Sequence, residues 1–181
     1  MLRSGVRPRT LILLAPVLFA AHIGEEVLSG YARWYNSVAS TPIPENGFLG
    51  SNFLPFAIMA LLAIVAAWSM SRWAALLLLA WLANFMFANA LYHIAATVVF
   101  RKYSPGVITG ALFYLPYYAW MCWYLTRQRI WPIVWIAVTL VCGWPWFRQG
   151  YAVIRGSRNE APPRALYRPS RARSSNRECS A

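Results

Sequence analysis

An all-α bundle of membrane-spanning helices followed by a basic tail is the fold class this sequence predicts, and three observations predict it. Of 181 residues, 59% are hydrophobic and only 12% charged, against about 45–50% and about 25% in an ordinary soluble domain. The apolar residues gather into about five stretches, near 10–28, 53–71, 73–100, 110–126 and 130–147, each close to the ~20 residues a helix needs to cross a hydrocarbon core. Finally, 17 Lys and Arg against 5 Asp and Glu give a net charge of +12, and most of that excess sits at the two ends, in Arg3, Arg7 and Arg9 and in the run from Arg148 to Arg177.

The elements follow in order. Three Arg and the apolar run Leu11–Ala21 imitate a secretory leader, but the apolar stretch continues into a polar motif, so we read it as a retained span. Ser29 to Asn52 is the long connection, with Pro42, Pro44 and Gly47 as turn residues. Ser71-Arg72-Trp73 and Arg127-Gln128-Arg129 mark short hairpin turns. The stretch 73–100 is long enough to tilt or to protrude from a bilayer. Pro132, Gly143 and Pro145 leave open whether the fifth stretch crosses fully. Every span is expected to be helical, because an open strand would leave its backbone unpaired in lipid.

These features divide the chain into a transmembrane helical domain, 1–148, and an Arg-rich tail, 149–181, expected to be disordered. The lipid bilayer is the expected partner, with the tail lying along anionic headgroups. Nucleic acid is not expected, since the basic residues form no folded face interleaved with aromatics. Positive charge in the short loops favours a cytoplasmic N-terminus, although the basic tail pulls the other way. Cys122 and Cys142 fall in apolar segments and Cys179 stands alone, so no disulfide framework is expected.

Ionisable residues inside the spans carry the functional signal. His22, Glu25 and Glu26 stand at i, i+3 and i+4 and share one helix face. Asn89, His93 and Thr97 form a second polar stripe, and His22 and His93 are the 2 histidines of the chain. A carboxylate at mid-membrane costs about 2.5–3.5 kcal/mol on insertion scales, so such residues normally pair or line a functional cavity. The first and third spans run in the same direction. Counted from Leu11, Glu26 lies ~22 Å along its helix; from Trp73, Asn89 lies ~24 Å and His93 ~30 Å along theirs. The stripes therefore meet near one membrane face, where the turn Tyr103-Ser104-Pro105-Gly106 emerges and Thr109 begins the next span. A helix C-terminus disfavours two adjacent carboxylates, so Glu25 and Glu26 call for a metal cation, a shared proton or a protonated histidine.

The motifs His22-Ile23-Gly24-Glu25-Glu26, Asn89-Ala90-Leu91-Tyr92-His93 and Tyr103-Ser104-Pro105-Gly106 with Thr109, in that order, resemble the HXXEE family of bacterial and archaeal integral membrane proteins of unknown function. Gly30-Tyr31-Ala32-Arg33-Trp34 resembles the aromatic segment that follows the family's first motif, and the resemblance spans roughly 15–125. It implies an all-helical, multi-pass protein of a bacterial plasma membrane with an enzyme-like site, and it supplies no reaction.

The sharpest chemical reading is metal-assisted catalysis. An H-x-x-E-H helix places two histidine ligands and a glutamate base together; here the fifth position is Glu. His22, Glu26 and His93 would hold a divalent metal, zinc or iron, leaving a position for water, with Glu25 as general base. Asn89, Tyr103 and Thr109 complete the candidate site. A lipid or another amphipathic substrate would reach it at the membrane face. Without a metal, one protonated and one ionised Glu oriented by His93 would serve acid/base chemistry. A small proton-coupled transporter and a structural or assembly subunit stay open as rivals.

Overall fold

The computed structural model describes residues 7–39 and 42–159. Among the described residues the chain is helical, without strands. Helix α1 is Pro8–Leu28, α2 Tyr31–Val38, α3 Phe48–Ser69 with a 3-10 turn before it, α4 Arg72–Phe100, α5 runs over 107–127 and α6 is Pro132–Asn159. The expected disorder of 160–181 lies outside the described residues, as does Arg3.

The span count differs from the expected five. Among the described residues, α1, the stretch Glu45–Ser69 and α4 are the 3 helices long and apolar enough to cross a membrane. Helices α5 and α6 have the length, but Tyr114, Tyr117, Tyr118, Trp120, Trp123 and Tyr124 in the one, and Trp135, Trp144, Pro145 and Trp146 in the other, dilute their hydropathy. The boundary expected at 148 also falls inside a helix, because α6 continues to Asn159.

The turns follow their local chemistry. Ser71 caps α4, its Oγ accepting from the Trp73 backbone N–H at 3.3 Å. Gly30, at φ 72°, turns the chain from α1 into α2. In the long connection the Asn36 side chain donates to the Ile43 carbonyl at 2.9 Å and accepts from the Ile43 N–H at 2.8 Å, closing the loop over α2.

Helix α4 is the central strut: half of its apolar window is buried, 50%, against 28% for α1 and 11% for α3. The core is Ile12 and Phe19 of α1, Met59 of α3, Leu78, Leu79, Leu82 and Met86 of α4, and Tyr114, Met121 and Leu125 of α5. Alanines at 15, 63, 66, 75, 83 and 90 are buried between them, and small residues of this kind let helix backbones approach closely.

Two helices widen locally. Ala83–Ala88 in α4 and Gly110–Tyr114 in α5 are π-helical turns. Pro116 explains the second, since it has no N–H to return to the preceding turn. Each rotates the helix face that follows it. One lies immediately before Asn89 and the other immediately after Thr109.

Helix α6 packs on the first wide turn. A Cβ on Gly143 would stand 3.0 Å from the Phe147 ring and 3.4 Å from the Ala83 carbonyl oxygen. Gly143→Leu is therefore expected to destabilise the protein by about 1–3 kcal/mol through overpacking. A thermal melt in detergent reads this, and an unchanged midpoint would mean that α6 does not dock as described.

Candidate metal centre

The site forms where α1 and α4 end and α5 begins. His22, Glu26 and His93 converge there, and their ligating atoms all lie within 4.8 Å of one another. Glu26 Oε1 is 3.1 Å from His93 Nε2 and 3.5 Å from His22 Nε2. Both imidazoles are fully buried and Glu26 is 4% exposed. Around a tetrahedral zinc with bonds of ~2.0–2.2 Å, neighbouring ligand atoms sit ~3.3–3.5 Å apart. The two Glu26 distances are close to the edge of such a polyhedron.

Hydrogen bonds set the state of His22. Thr109 gives its single hydroxyl proton to Glu25 Oε2 at 2.5 Å, so its oxygen accepts from His22 Nδ1 at 2.7 Å. Nδ1 then carries the proton and Nε2 presents a lone pair toward Glu26 and Asn89. The Asn89 amide nitrogen lies 2.9 Å from that lone pair, while its Oδ1 is buried with no hydrogen-bond partner. His93 Nδ1 is held by Ser104 Oγ at 3.0 Å. Its Nε2 has no hydrogen-bond partner; the Glu26 oxygen is close but off the ring N–H direction. An orphaned imidazole nitrogen beside a buried carboxylate suits a cation.

Glycine makes room for this cluster. Gly106 is at φ 100°, and a Cβ there would come within 2.8 Å of His22 Cε1 and 2.9 Å of His93 Nε2. Its backbone roofs both imidazoles, and the missing side chain leaves space beside the nitrogen. Tyr114 stacks on His22 from α5, ring centroids 4.4 Å apart.

Glu25, one residue from Glu26, meets different partners. Its Oε1 accepts from the Tyr103 hydroxyl at 2.6 Å and from the backbone N–H groups of Gly106 at 3.0 Å and Ile108 at 3.2 Å. Its Oε2 accepts from the Thr109 N–H at 2.7 Å as well as from the Thr109 hydroxyl. The carboxylate therefore caps the N-terminus of α5, where free N–H groups and the positive end of the helix dipole favour an anion. Burial, followed by the adjoining Glu25 carboxylate, pushes the Tyr103 phenol above its ordinary range and keeps it a donor. Expected as a general base, Glu25 instead has both oxygens occupied. The bare carboxylate is Glu26.

The seven candidates thus fall into two groups: His22, Glu26, Asn89 and His93 around one point, and Glu25, Tyr103 and Thr109 at the α5 cap, joined by the His22–Thr109 bond. Thr97 supports the turn, donating to the His93 carbonyl at 2.8 Å and accepting from the Ser104 N–H at 3.2 Å. Ser104, Tyr114 and Tyr31 join the site without having been singled out by sequence. Tyr31 stands 5.6 Å from the His93 ring, centroid to centroid. Its proximity to the first motif is the one signal the sequence offered.

Glu26 and Asn89 open onto a cavity of about 350 Å³ lined chiefly by apolar and aromatic groups, among them Phe19, Ile23, Tyr31, Phe48, Phe85 and Trp146. Fold and site together define a helical bundle with long apolar helices and a buried His/Glu cluster. The chain belongs to the family described as protein of unknown function with HXXEE motif, whose model matches residues 13–121. That span holds both groups of site residues. No curated protein and no solved structure matches the chain.

Proposed function

We propose that this protein is a membrane-embedded, metal-dependent enzyme acting on a lipid or other amphipathic substrate. The observation that carries the reading is the convergence of one ligating atom each from His22, Glu26 and His93 within 4.8 Å, with Glu26 on the wall of an apolar cavity. His22, Glu26 and His93 would hold a divalent cation, zinc or iron, at the His22 nitrogen where the Asn89 amide now lies 2.9 Å away. Such an ion polarises a carbonyl or phosphoryl oxygen and lowers the pKa of bound water, which suits hydrolysis. Asn89 stays beside the ion as a donor to developing negative charge, while Glu25, Thr109 and Tyr103 orient His22 through the α5 cap.

The surroundings support an enzyme over a proton-coupled transporter. Beneath the cluster lie Ile12, Ala15, Phe19, Met59, Leu78 and Leu79, a fully packed apolar layer. A transporter needs access to both faces, and these buried apolar side chains favour a site open on one side. A metal-free reading has one observation in its favour, the Asn89 nitrogen already on the His22 lone pair; in it Glu26 works as an acid/base group beside His93.

Helices α1, α3 and α4 cross the bilayer in this reading, and α5 and α6 complete a multi-pass bundle. Metal analysis of detergent-purified protein decides between the two versions. About one zinc or iron per chain is expected in the wild type, with loss of roughly ten- to a hundredfold in affinity or more in His22→Ala and His93→Ala. Wild-type protein without stoichiometric metal, after mild purification and after reloading, would sink the metal version.

A further inference from the structure

Next to the site cavity lies a second hollow of about 560 Å³ between α1 and α3, lined by Phe19, Ala20, Ile23, Gly24, Phe53 and Phe56 among others. Phe19, Ile23 and Asn52 line both spaces, so the two adjoin at these side chains. The outer rim carries Leu28, Leu49 and Phe53, which are 90%, 61% and 71% exposed. Both volumes fall in the range of small-molecule sites, about 300–1,000 Å³.

Gly24 explains why the hollow exists. It stands between His22 and Glu26 in the motif, and a Cβ built on it would meet nothing within 4 Å. Glycine in a helix interior costs about 0.8–1.0 kcal/mol relative to alanine. Neither a turn nor close helix packing requires it here, since its backbone is helical and its surroundings are open. What the missing side chain preserves is room on the α1 face that Ala20, Val27 and Leu28 share and that lines the hollow.

We infer that the α1–α3 hollow receives the hydrocarbon tail of a single-chain amphiphile, which enters sideways from the bilayer and brings its polar end to Glu26 and the two histidines. This rests on the reading of the cluster as the reacting site and adds the substrate class. The occupant is argued from continuity with the site and from lining chemistry. A third, more polar recess on the other side of Glu26, lined by Gly30, Arg33, Glu45 and Asn46, accommodates a headgroup, with Arg33 at its exposed rim. Groove, site cavity and polar recess thus adjoin, the first two at Phe19, Ile23 and Asn52 and the last two at Glu26, Tyr31 and Phe48, with room for tail, reacting group and head.

The test uses full-length protein in phosphatidylcholine–phosphatidylglycerol vesicles with palmitate carrying a mid-chain diazirine, cross-linked by light and mapped by peptide mass spectrometry. Saturable labelling within 19–28 and 49–56, competed by unlabelled palmitate, is expected. Gly24→Leu fills the hollow and is expected to cut that labelling about tenfold or more, with metal content and melting temperature at or above wild type. Labelling that fails to saturate and spreads equally to outward residues such as Val134 and Leu140 would mean ordinary boundary lipid and overturn the inference. So would undiminished labelling in folded Gly24→Leu. Metal content read on the same samples keeps this outcome separate from a failure of the metal centre: specific capture without metal removes the ion, not the tail groove.

Discussion

Gly106→Ala is expected to cost the protein much of its stability and, in the proposed reading, the metal of the His22–Glu26–His93 centre. Two effects add. The backbone is at φ 100°, a region that suits glycine and strains a residue with a Cβ. The new methyl would also stand 2.8 Å from His22 Cε1 and 2.9 Å from both His93 Cε1 and Nε2, well inside contact distance. Neither ring can yield easily: His22 is pinned by Thr109 and Asn89, and His93 by Ser104. A destabilisation of about 2–4 kcal/mol follows from strain plus overpacking, and the three ligand atoms spread apart. Metal per chain and the melting midpoint should fall together. Full metal occupancy with an unchanged midpoint would show that the Tyr103–Thr109 turn does not roof the histidines.

Glu25→Gln is expected to destabilise the protein by about 2–4 kcal/mol, although it changes one atom. Glutamine keeps one carbonyl acceptor and turns the other oxygen into an NH₂ donor. That donor faces either the N–H and hydroxyl of Thr109 or the Tyr103 hydroxyl and the N–H groups of Gly106 and Ile108. Hydrogen bonds to a charged group contribute about 1.5–3 kcal/mol each, and donors left unpaired carry their own penalty. Metal affinity should drop only secondarily, about ten- to a hundredfold, through the loosened Thr109–His22 link. Glu26→Gln should do the reverse, removing the metal while its melting midpoint stays close to that of metal-free wild type. Equal behaviour of the two variants would contradict the division of labour between these adjacent carboxylates.

Helix rise is a constant, and this made the depth of the site legible in the sequence. Glu26 and Asn89 fall at matching heights by counting residues, with His93 one turn beyond Asn89, and the structure brings Glu26 within 3.1 Å of His93. Rotation was less legible. The wide turn at Ala83–Ala88 carries no proline or glycine to announce it, whereas Pro116 does foreshadow the one at Gly110–Tyr114. Neighbouring residues on a helix point about 100° apart, so Glu25 and Glu26 had to differ in role. Which one faces the histidines depended on where α5 begins, a tertiary fact that residue spacing does not show. The span count failed for another reason. Runs of Tyr and Trp read as apolar by composition, yet each brings a polar group that holds α5 and α6 below the hydropathy of α1, α3 and α4. Ser104 escaped notice because Ser beside Pro and Gly is ordinary turn material.

The α5 cap also bears on how the protein is made. Glu25 receives its partners from Tyr103, Gly106, Ile108 and Thr109, up to 84 residues downstream. In a bilayer, the first helix must be placed while none of them yet exists. In the proposed membrane reading, Glu25 is uncompensated during that interval and Glu26 has only His22, on the same helix, beside it. Birth order thus runs opposite to dependency: the earliest segment is the last to be satisfied, and a chain released before Thr109 is synthesised leaves its first helix an orphan, fit for removal by quality control.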